Sequence, residues 1–441
     1  MCIRDRLLAW GQFAQCIELI AKLEAVALSQ KTVDHRPQRK VLEFFVAILG
    51  GLAYLKELSY AAHPLDKDQA VARAWGQTGW ADHSGVSRTL SALTQAEAEQ
   101  LVAVLTQVSQ PFMDQEVLLA LRAQGKLVYD GDLTGRPVSN TSTTYPGVAY
   151  GHMSNAIQLG YQAALVSFHS PTYGRQWVSV AQHPGNTLAC AQAETMVRAA
   201  ETTTGVRPRR RTELLRERLA QAESDRQHWE AQVARAQQQE LAAQQALQET
   251  QTQLRTWQER VANCAADYQD RGRPERPHSY LAQVRKKVVV YQQRQARREA
   301  HRERSQAFLQ RQQVHLEASL TLVQQLEQRL KQFEQENILN PTPIRADFRV
   351  DAGFGTPENI ALLIELGYEV YTKPYGTWLK DRLKKQVDAE TTWTRVGGNA
   401  EMTAWPELEL QDFPYPLDVA LEYFHTGETS RYGVLLHYGQ D

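Results

Sequence analysis

The chain has 441 residues, 42% hydrophobic and 22% charged, with a formal net charge of −1. That length allows two or three domains, and so even a balance of charge neither requires nor excludes a nucleic-acid partner. Cys2, Cys16, Cys190 and Cys264 are scattered with no CxxC pair, which argues against a zinc ribbon or a disulfide framework and fits a reducing compartment.

Met1–Arg6 is charged and is followed by an interrupted apolar pattern, so no secretory leader is legible. The longest nearby apolar stretch, Phe44 to Tyr54, is too short to span a bilayer. The expectation is a cytoplasmic protein without a membrane partner. Helical spacing of Leu8, Phe13, Ile17, Ile20 and Leu23 predicts a helix over Leu7–Leu28. A strongly apolar helix follows over Val41–Leu58, then a short one over Lys67–Trp75. Ser84 stands as an N-capping residue for a helix over Ser84–Ala92, and Thr94 with Glu97 reads as the capping box of another. Short helices joined by a glycine turn resemble a helix-turn-helix, which would place Ser84, Ser87 and Arg88 against DNA. An ordinary helical bundle is the commoner source of such a pattern.

Gly125–Gly135 (GKLVYDGDLTG) predicts a short buried strand delivering Asp130 and Asp132 at its C-terminal end. Asp has poor strand propensity. Asp-Gly is a common turn dipeptide, and strand-end carboxylates also suit a hard divalent cation. Ile157–Ser170 and Arg175–Gln182 read as two further strands, and Asn186–Thr202 as a helix. His152, His169 and His183 lie nearby with no ligand-like spacing.

The composition then changes. Residues 207–336 hold 24 Lys and Arg against 17 Asp and Glu, a local excess of positive charge. A 3-4 spaced seam runs from Leu215 to Tyr268 and a second from Leu281 to Phe333, with the breaker Asp270–Pro277 between them. Two arms of nearly equal length predict an antiparallel coiled-coil hairpin, each arm roughly 80 Å long, with a polar middle in the second seam. Arg209, Arg210 and Arg211 form a basic cluster at its start, a candidate phosphate contact or equally a solvated helix start. Beyond Asn340, Ile344–Val350 reads as a strand ending in Asp351. Thr356 caps a helix from Pro357 to Leu366, Gly367 ends it, and Tyr368–Thr372 is the next strand. After Lys373 the chain reads as β-rich, with strands over Thr391–Val396, Val419–His425 and Tyr432–His437, and a Thr426-Gly427 turn.

Asp132-Leu133-Thr134 and Arg349–Gly355 (RVDAGFG), on strands of a β-β-β-α-β-α-β order, resemble the D-x-[ST] and D-x-G-F motifs of the DDE transposases of bacterial insertion sequences. The stretch Trp75-Gly76 … Val86-Ser87-Arg88-Thr89-Leu90 is similar to their helical DNA-binding region. The resemblance implies an α/β, ribonuclease-H-like mixed sheet with helices. A helix-turn-helix-like region would precede it over 1–120. The core would occupy 121–206 and 338–373, interrupted by the coiled coil over 207–337 and followed by a β-rich insertion region over 374–441. It implies Mg²⁺ or Mn²⁺ held by Asp132 and Asp351, with Asp130 as the alternative to Asp132, since strand alternation puts both on one face. Two such ions can activate the attacking oxygen and stabilise the leaving one in phosphodiester displacement. The implied activity is DNA cleavage and strand transfer at element ends. The implied partners are double-stranded DNA, both element ends and target, and further copies of the chain assembled on it, in a prokaryotic cytoplasm at the nucleoid.

Two departures stand out. The coiled coil occupies a place where a short connection is expected. The family's third acid, a Glu on a later helix, is not found, and Glu422 lies in the strand-like LDVALEYF. The expectation is that this acid lies beyond Asp441 and that these residues alone are inactive. A nuclease with the same core, and an inactive coiled-coil interaction protein that binds DNA, are the alternatives.

Overall fold

The computed structural model describes residues 3–30, 34–140, 145–153, 156–411, 413–426 and 429–439. Met1, Cys2, Gly427 and Asp441 lie outside the described residues. In chain order come α1 (Ile3–Cys16), α2 (Leu19–Glu24), α3 (Pro37–Leu49), α4 (Glu57–Tyr60), α5 (Gln69–Ala74), α6 (His83–Ser91) and α7 (Gln95–Gln124). Then follow β1 (Lys126–Pro137), β2 (Ala149–Met153), β3 (Ala156–Ser170), β4 (Gly174–Pro184), α8 (Ala193–Thr204), α9 (Thr212–Asp270) and α10 (Tyr280–Ile338). The remainder is β5 (Arg345–Val350), α11 (Pro357–Glu365), β6 (Glu369–Thr372), α12 (Trp378–Lys384), β7 (Thr394–Arg395), β8 (Ala400–Leu408), β9 (Leu417–Thr426) and β10 (Thr429–Tyr438). Two compact units result, one of residues 1–127, 165–181 and 197–205, the other of 128–164, 182–196 and 206–441.

In the first unit the helices are shorter than their periodicity predicts. The helix expected over Leu7–Leu28 breaks at Glu18, whose φ of 59° is left-handed. The one expected over Val41–Leu58 starts earlier, at Pro37, whose fixed φ suits a first turn, and stops before Gly50-Gly51. Leu58 still reaches the core, beside Leu42, Val46, Val71, Trp75 and Val86. Trp75 donates its indole N–H to the Leu7 carbonyl at 2.9 Å, so its polar edge is satisfied inside. Glu43 is buried there too, accepting the Ala81 N–H at 2.8 Å. Burial pushes its carboxyl up to about 8. The capping box at α7 forms as expected between Thr94 and Glu97. The Thr94 N–H at 2.8 Å, and then the Ser29 N–H and hydroxyl at 2.7 and 2.8 Å, donate to Glu97 and hold its carboxyl down to about 2.

Ten strands form one mixed sheet in the order β2-β3-β1-β5-β6-β10-β9-β8-β7, with β4 paired to β3. β5 and β6 are parallel, as a strand–helix–strand crossover requires. β10 then adds antiparallel to β6, so the β-rich region after Lys373 continues the same sheet. β2, β8 and α12 were not legible in the sequence. Among the described residues no helix is long and apolar enough to cross a membrane.

The helical hairpin of α9 and α10 has two arms of 59 residues, each about 88 Å long at 1.5 Å per residue. Every expected seam position of α9 is buried or half-buried, and so is every one of α10 except Arg298. Trp229 stacks on His315 with ring centroids 4.6 Å apart, and Trp257 on Tyr291 at 6.4 Å, which fixes the antiparallel register. Each fully buried Leu or Val of the seam contributes roughly 1.5–3 kcal/mol.

Candidate functional site

Residues 126–137 are strand throughout, so Asp130-Gly131-Asp132 is not a turn, and the short strand expected to end at these acids instead runs five residues past Asp132. Leu127, Tyr129 and Gly131 alternate into the buried side. Tyr129 stacks on Phe348 at 5.8 Å. A Cβ on Gly131 would lie 2.9 Å from Phe348 Cε1 and 3.2 Å from Met196 Cε. The glycine therefore lets β5 and the start of α8 close over the strand, and it gives a packing reason for the Asp-Gly dipeptide.

Asp130 and Asp132 sit on the other side of β1. The Arg349 guanidinium donates to Asp130 at 2.7 Å. Asp132 is exposed and accepts the Thr134 hydroxyl at 2.7 Å. Asp351 follows directly on β5, the strand next to β1. Its carboxylate caps the short turn Ala352–Phe354 by accepting the Gly353 N–H at 3.1 Å. The Thr372 hydroxyl donates to the Asp351 carbonyl at 3.1 Å and ties this end of β5 to β6. Although its surface reaches solvent, Asp351 is crowded by surrounding protein. That burial raises its carboxyl above the ordinary range, and the negative charge of Asp132 raises it further, against hydrogen bonds from Gly353 and Phe354 and the charge of Lys373. Asp132 and Asp351 are thus within electrostatic reach of one another.

Lys373 was missed by sequence reading. The signal was available: in a parallel pair the residue just past β6 lies beside the residue just past β5. An open cleft of about 520 Å³ adjoins Asp351, lined also by Lys373, Met402, Asp418 and His437. Asp418 and His437 pair with each other at 3.1 Å. Among the described residues no group of three or more His, Cys, Asp or Glu is gathered to hold a metal ion, and His152, His169 and His183 form no ligand set. Glu422 lies in β9 opposite Gly433.

The donor set nevertheless fits a hard divalent cation of the magnesium type. Such an ion is often held by one or two carboxylates, with water and phosphate oxygens completing its shell. The negative charge of Asp132 opposes ionisation of Asp351, a penalty that a bound cation would offset. Asp130 is engaged by Arg349, which leaves Asp132 as the ligand candidate on β1.

The basic cluster is corrected. Arg210 is 1% exposed and donates to Glu336 at 2.6 Å and to the Leu366 carbonyl at 2.9 Å. Arg211 donates to the Ile364 and Tyr368 carbonyls and lies over the Tyr438 ring. Both hold the base of the hairpin, Arg210 buried and Arg211 half-buried with its guanidinium engaged, because the chain leaves the core here and needs anchoring. Arg209 is exposed. In the first unit, Asp82 and not Ser84 caps α6, accepting the Gly85 N–H at 2.8 Å, while Ser84 donates to Asp82 at 2.6 Å. Ser87 is half-buried and Arg88 exposed. Residues 75–82 separate α5 from α6, a longer connection than the three or four residues of a tight helix-turn-helix.

No family model matches the chain, and no curated protein matches it.

Proposed function

We propose that the chain is a DDE-type transposase with a ribonuclease-H-like core, cutting and joining DNA at the ends of an insertion sequence in a prokaryotic cytoplasm. The observation that carries this reading is that Asp132, partway along β1, and Asp351, just past the end of the neighbouring β5, lie close enough for the charge of Asp132 to act on Asp351. The strands of the resembling order are adjacent in space as β4-β3-β1-β5-β6, which supports the core assignment. Asp132 and Asp351 would hold Mg²⁺ or Mn²⁺, and the bound ion would polarise phosphate oxygens and lower the pKa of an attacking hydroxyl or water. Thr134 orients the Asp132 carboxylate through its hydroxyl. The turn at Gly353 fixes that of Asp351. Lys373, beside Asp351, offers a positive charge to a phosphate oxygen.

That no third His, Cys, Asp or Glu is gathered with this pair among the described residues favours one rival, a DNA-binding protein without catalysis. Mn²⁺ binding by calorimetry, together with cleavage of DNA from the regions flanking the gene, tests both. Loss of Mn²⁺ affinity in Asp132→Asn and Asp351→Asn supports the site. Unchanged affinity in the double variant sinks it. Metal-dependent cleavage that the double variant loses argues against the rival. Joining of cut ends into a plasmid separates a transposase from a plain nuclease.

A further inference from the structure

The hairpin carries a feature that holding two helices together does not require. Between Val284 and Ser319, α10 has no fully buried side chain, whereas α9 keeps Ala243, Leu247 and Leu254 buried. Over this stretch an open groove of about 1360 Å³ runs between Gln245–Gln253 and Tyr291–Arg304. Its α10 wall presents Arg294, Arg297, Arg298, His301 and Arg304. Residues 291–304 contain five Arg and two Glu, and residues 245–253 opposite contain the single acid Glu249.

Some arginines elsewhere on the hairpin are paired, Arg216 with Glu334 at 2.6 Å, Arg285 with Glu275 at 2.7 Å and Arg271 with Asp267 at 2.8 Å, while others such as Arg235, Arg255 and Arg311 are scattered singly along the arms. In the groove, Arg294 lies over the ring of Tyr291 one turn away, and Arg304 donates to the Ala300 carbonyl at 3.1 Å. Among the described residues, Arg294, Arg297, Arg298 and Arg304 make no ion pair with a carboxylate. Like charges three and four residues apart on a helix repel, and a coiled-coil seam is strongest when apolar. Where the α10 seam is polar, four guanidinium groups without a carboxylate partner thus gather along one groove.

We propose that this groove binds the phosphate backbone of duplex DNA without reading its sequence. Arg294 to Arg304 spans about 15 Å of helix, the length of roughly four phosphates at 3.4 Å each along one strand. A small anion would need one or two of these charges; four in a row suit a polyanion. The opposite wall offers Gln245, Gln248, Thr252 and Gln253, uncharged groups of the kind that also bond phosphate oxygens. The identity of the polyanion rests on the DNA reading of the site above, while the groove's charge does not.

The test uses the full chain and a labelled 30-base-pair duplex of mixed sequence, followed by fluorescence anisotropy in EDTA across a salt series. The variant Arg294→Gln/Arg298→Gln/Arg304→Gln is expected to bind at least tenfold more weakly, with a salt slope shallower by about 3. A control removing three paired charges, Arg216→Gln/Arg271→Gln/Arg285→Gln, is expected to stay within twofold. Helix content by circular dichroism should be unchanged in both. Equal binding by the groove variant and the wild type overturns the proposal, as does an equal loss in the control. Loss of heparin binding with DNA binding intact also overturns it, in favour of another anionic partner. Because EDTA silences the carboxylate site, Asp132→Asn/Asp351→Asn should bind the duplex normally here. Failure of the catalytic reading and failure of the groove are therefore told apart.

Discussion

Arg349 bonds Asp130 at 2.7 Å, two residues before Asp351 on β5, while Asp130 lies two residues before Asp132 on β1. The two strands thus carry an ion pair followed by two acids, of which Asp351 feels the negative charge of Asp132. Alternation places Asp130 and Asp132 on one side of β1 and cannot tell them apart; the neighbouring strand does. Asp132→Asn and Asp351→Asn are each expected to weaken Mn²⁺ binding at least tenfold. Asp130→Asn should leave it within twofold and lower stability by about 0.5–1 kcal/mol, the scale of a partly exposed ion pair. Calorimetric titration and urea melts of the three variants check this.

Gly131 sets how closely β1 approaches its neighbours. Gly131→Val would press methyl groups into Phe348, Met196 and Val350. The expected loss is about 1–3 kcal/mol of overpacking strain, read as a lower urea midpoint with an unchanged slope. A substitution that leaves the midpoint unmoved would show that the close contacts at Gly131 carry no weight.

Arg210 is fully enclosed, with its charge shared between Glu336, the Leu366 carbonyl and the Phe333 ring. Arg210→Ala leaves the mostly buried Glu336 carboxylate without its cation. The expected cost is about 3–5 kcal/mol. Arg210→Lys should recover only part of it, since one ammonium cannot reproduce a planar fork reaching both oxygens. Equal stability of the Lys variant and the wild type, by thermal denaturation, would count against the anchor.

Glu43 gives a pH dependence of known sign. Its carboxyl is raised from 4.5 to about 8 by burial first, with Asp66 and Asp82 adding and Ala81 and Lys40 opposing. The folded state binds this proton more tightly than the unfolded one, so the contribution is full below pH 4.5 and is lost as pH rises through about 8. At about 1.4 kcal/mol per pH unit, the loss is on the order of a few kcal/mol. The melting temperature of the wild type, relative to Glu43→Gln, is expected to fall between pH 5 and pH 8. Parallel curves for the two proteins would refute it.

The hairpin was the most legible part of the sequence, because a two-arm periodic seam is a local pattern repeated many times; only Arg298 fell off its expected face. The strands leading to Asp132 and Asp351 were legible as β-prone runs near glycines, but the end of the first was misplaced, because β1 continues through Gly131 and Gly135 to Pro137. Their adjacency was not, since it depends on β1 and β5 pairing across the hairpin. β8 was missed because Ala400–Leu408 carries a bulge and a mostly polar face. Arg210 and Arg211 were misread because a basic run looks the same whether its partners are phosphates or distant carbonyls. The break at Glu18 left no mark in the periodicity, which continues through it.

The ends of the hairpin meet at its base: the Ile344 N–H bonds the Arg207 carbonyl at 3.2 Å, and Asn340 reaches the same carbonyl at 3.0 Å. Arg210 and Arg218 clamp the root to Glu336 and Glu365. Mechanically this is a long lever on a stiff pivot. A tilt of about 5° at the pivot sweeps the far turn through roughly 8 Å, given arms of 1.5 Å per residue. Whatever touches the tip can therefore torque the strand edge where β5 begins, and small strains at that edge are magnified into large displacements far away.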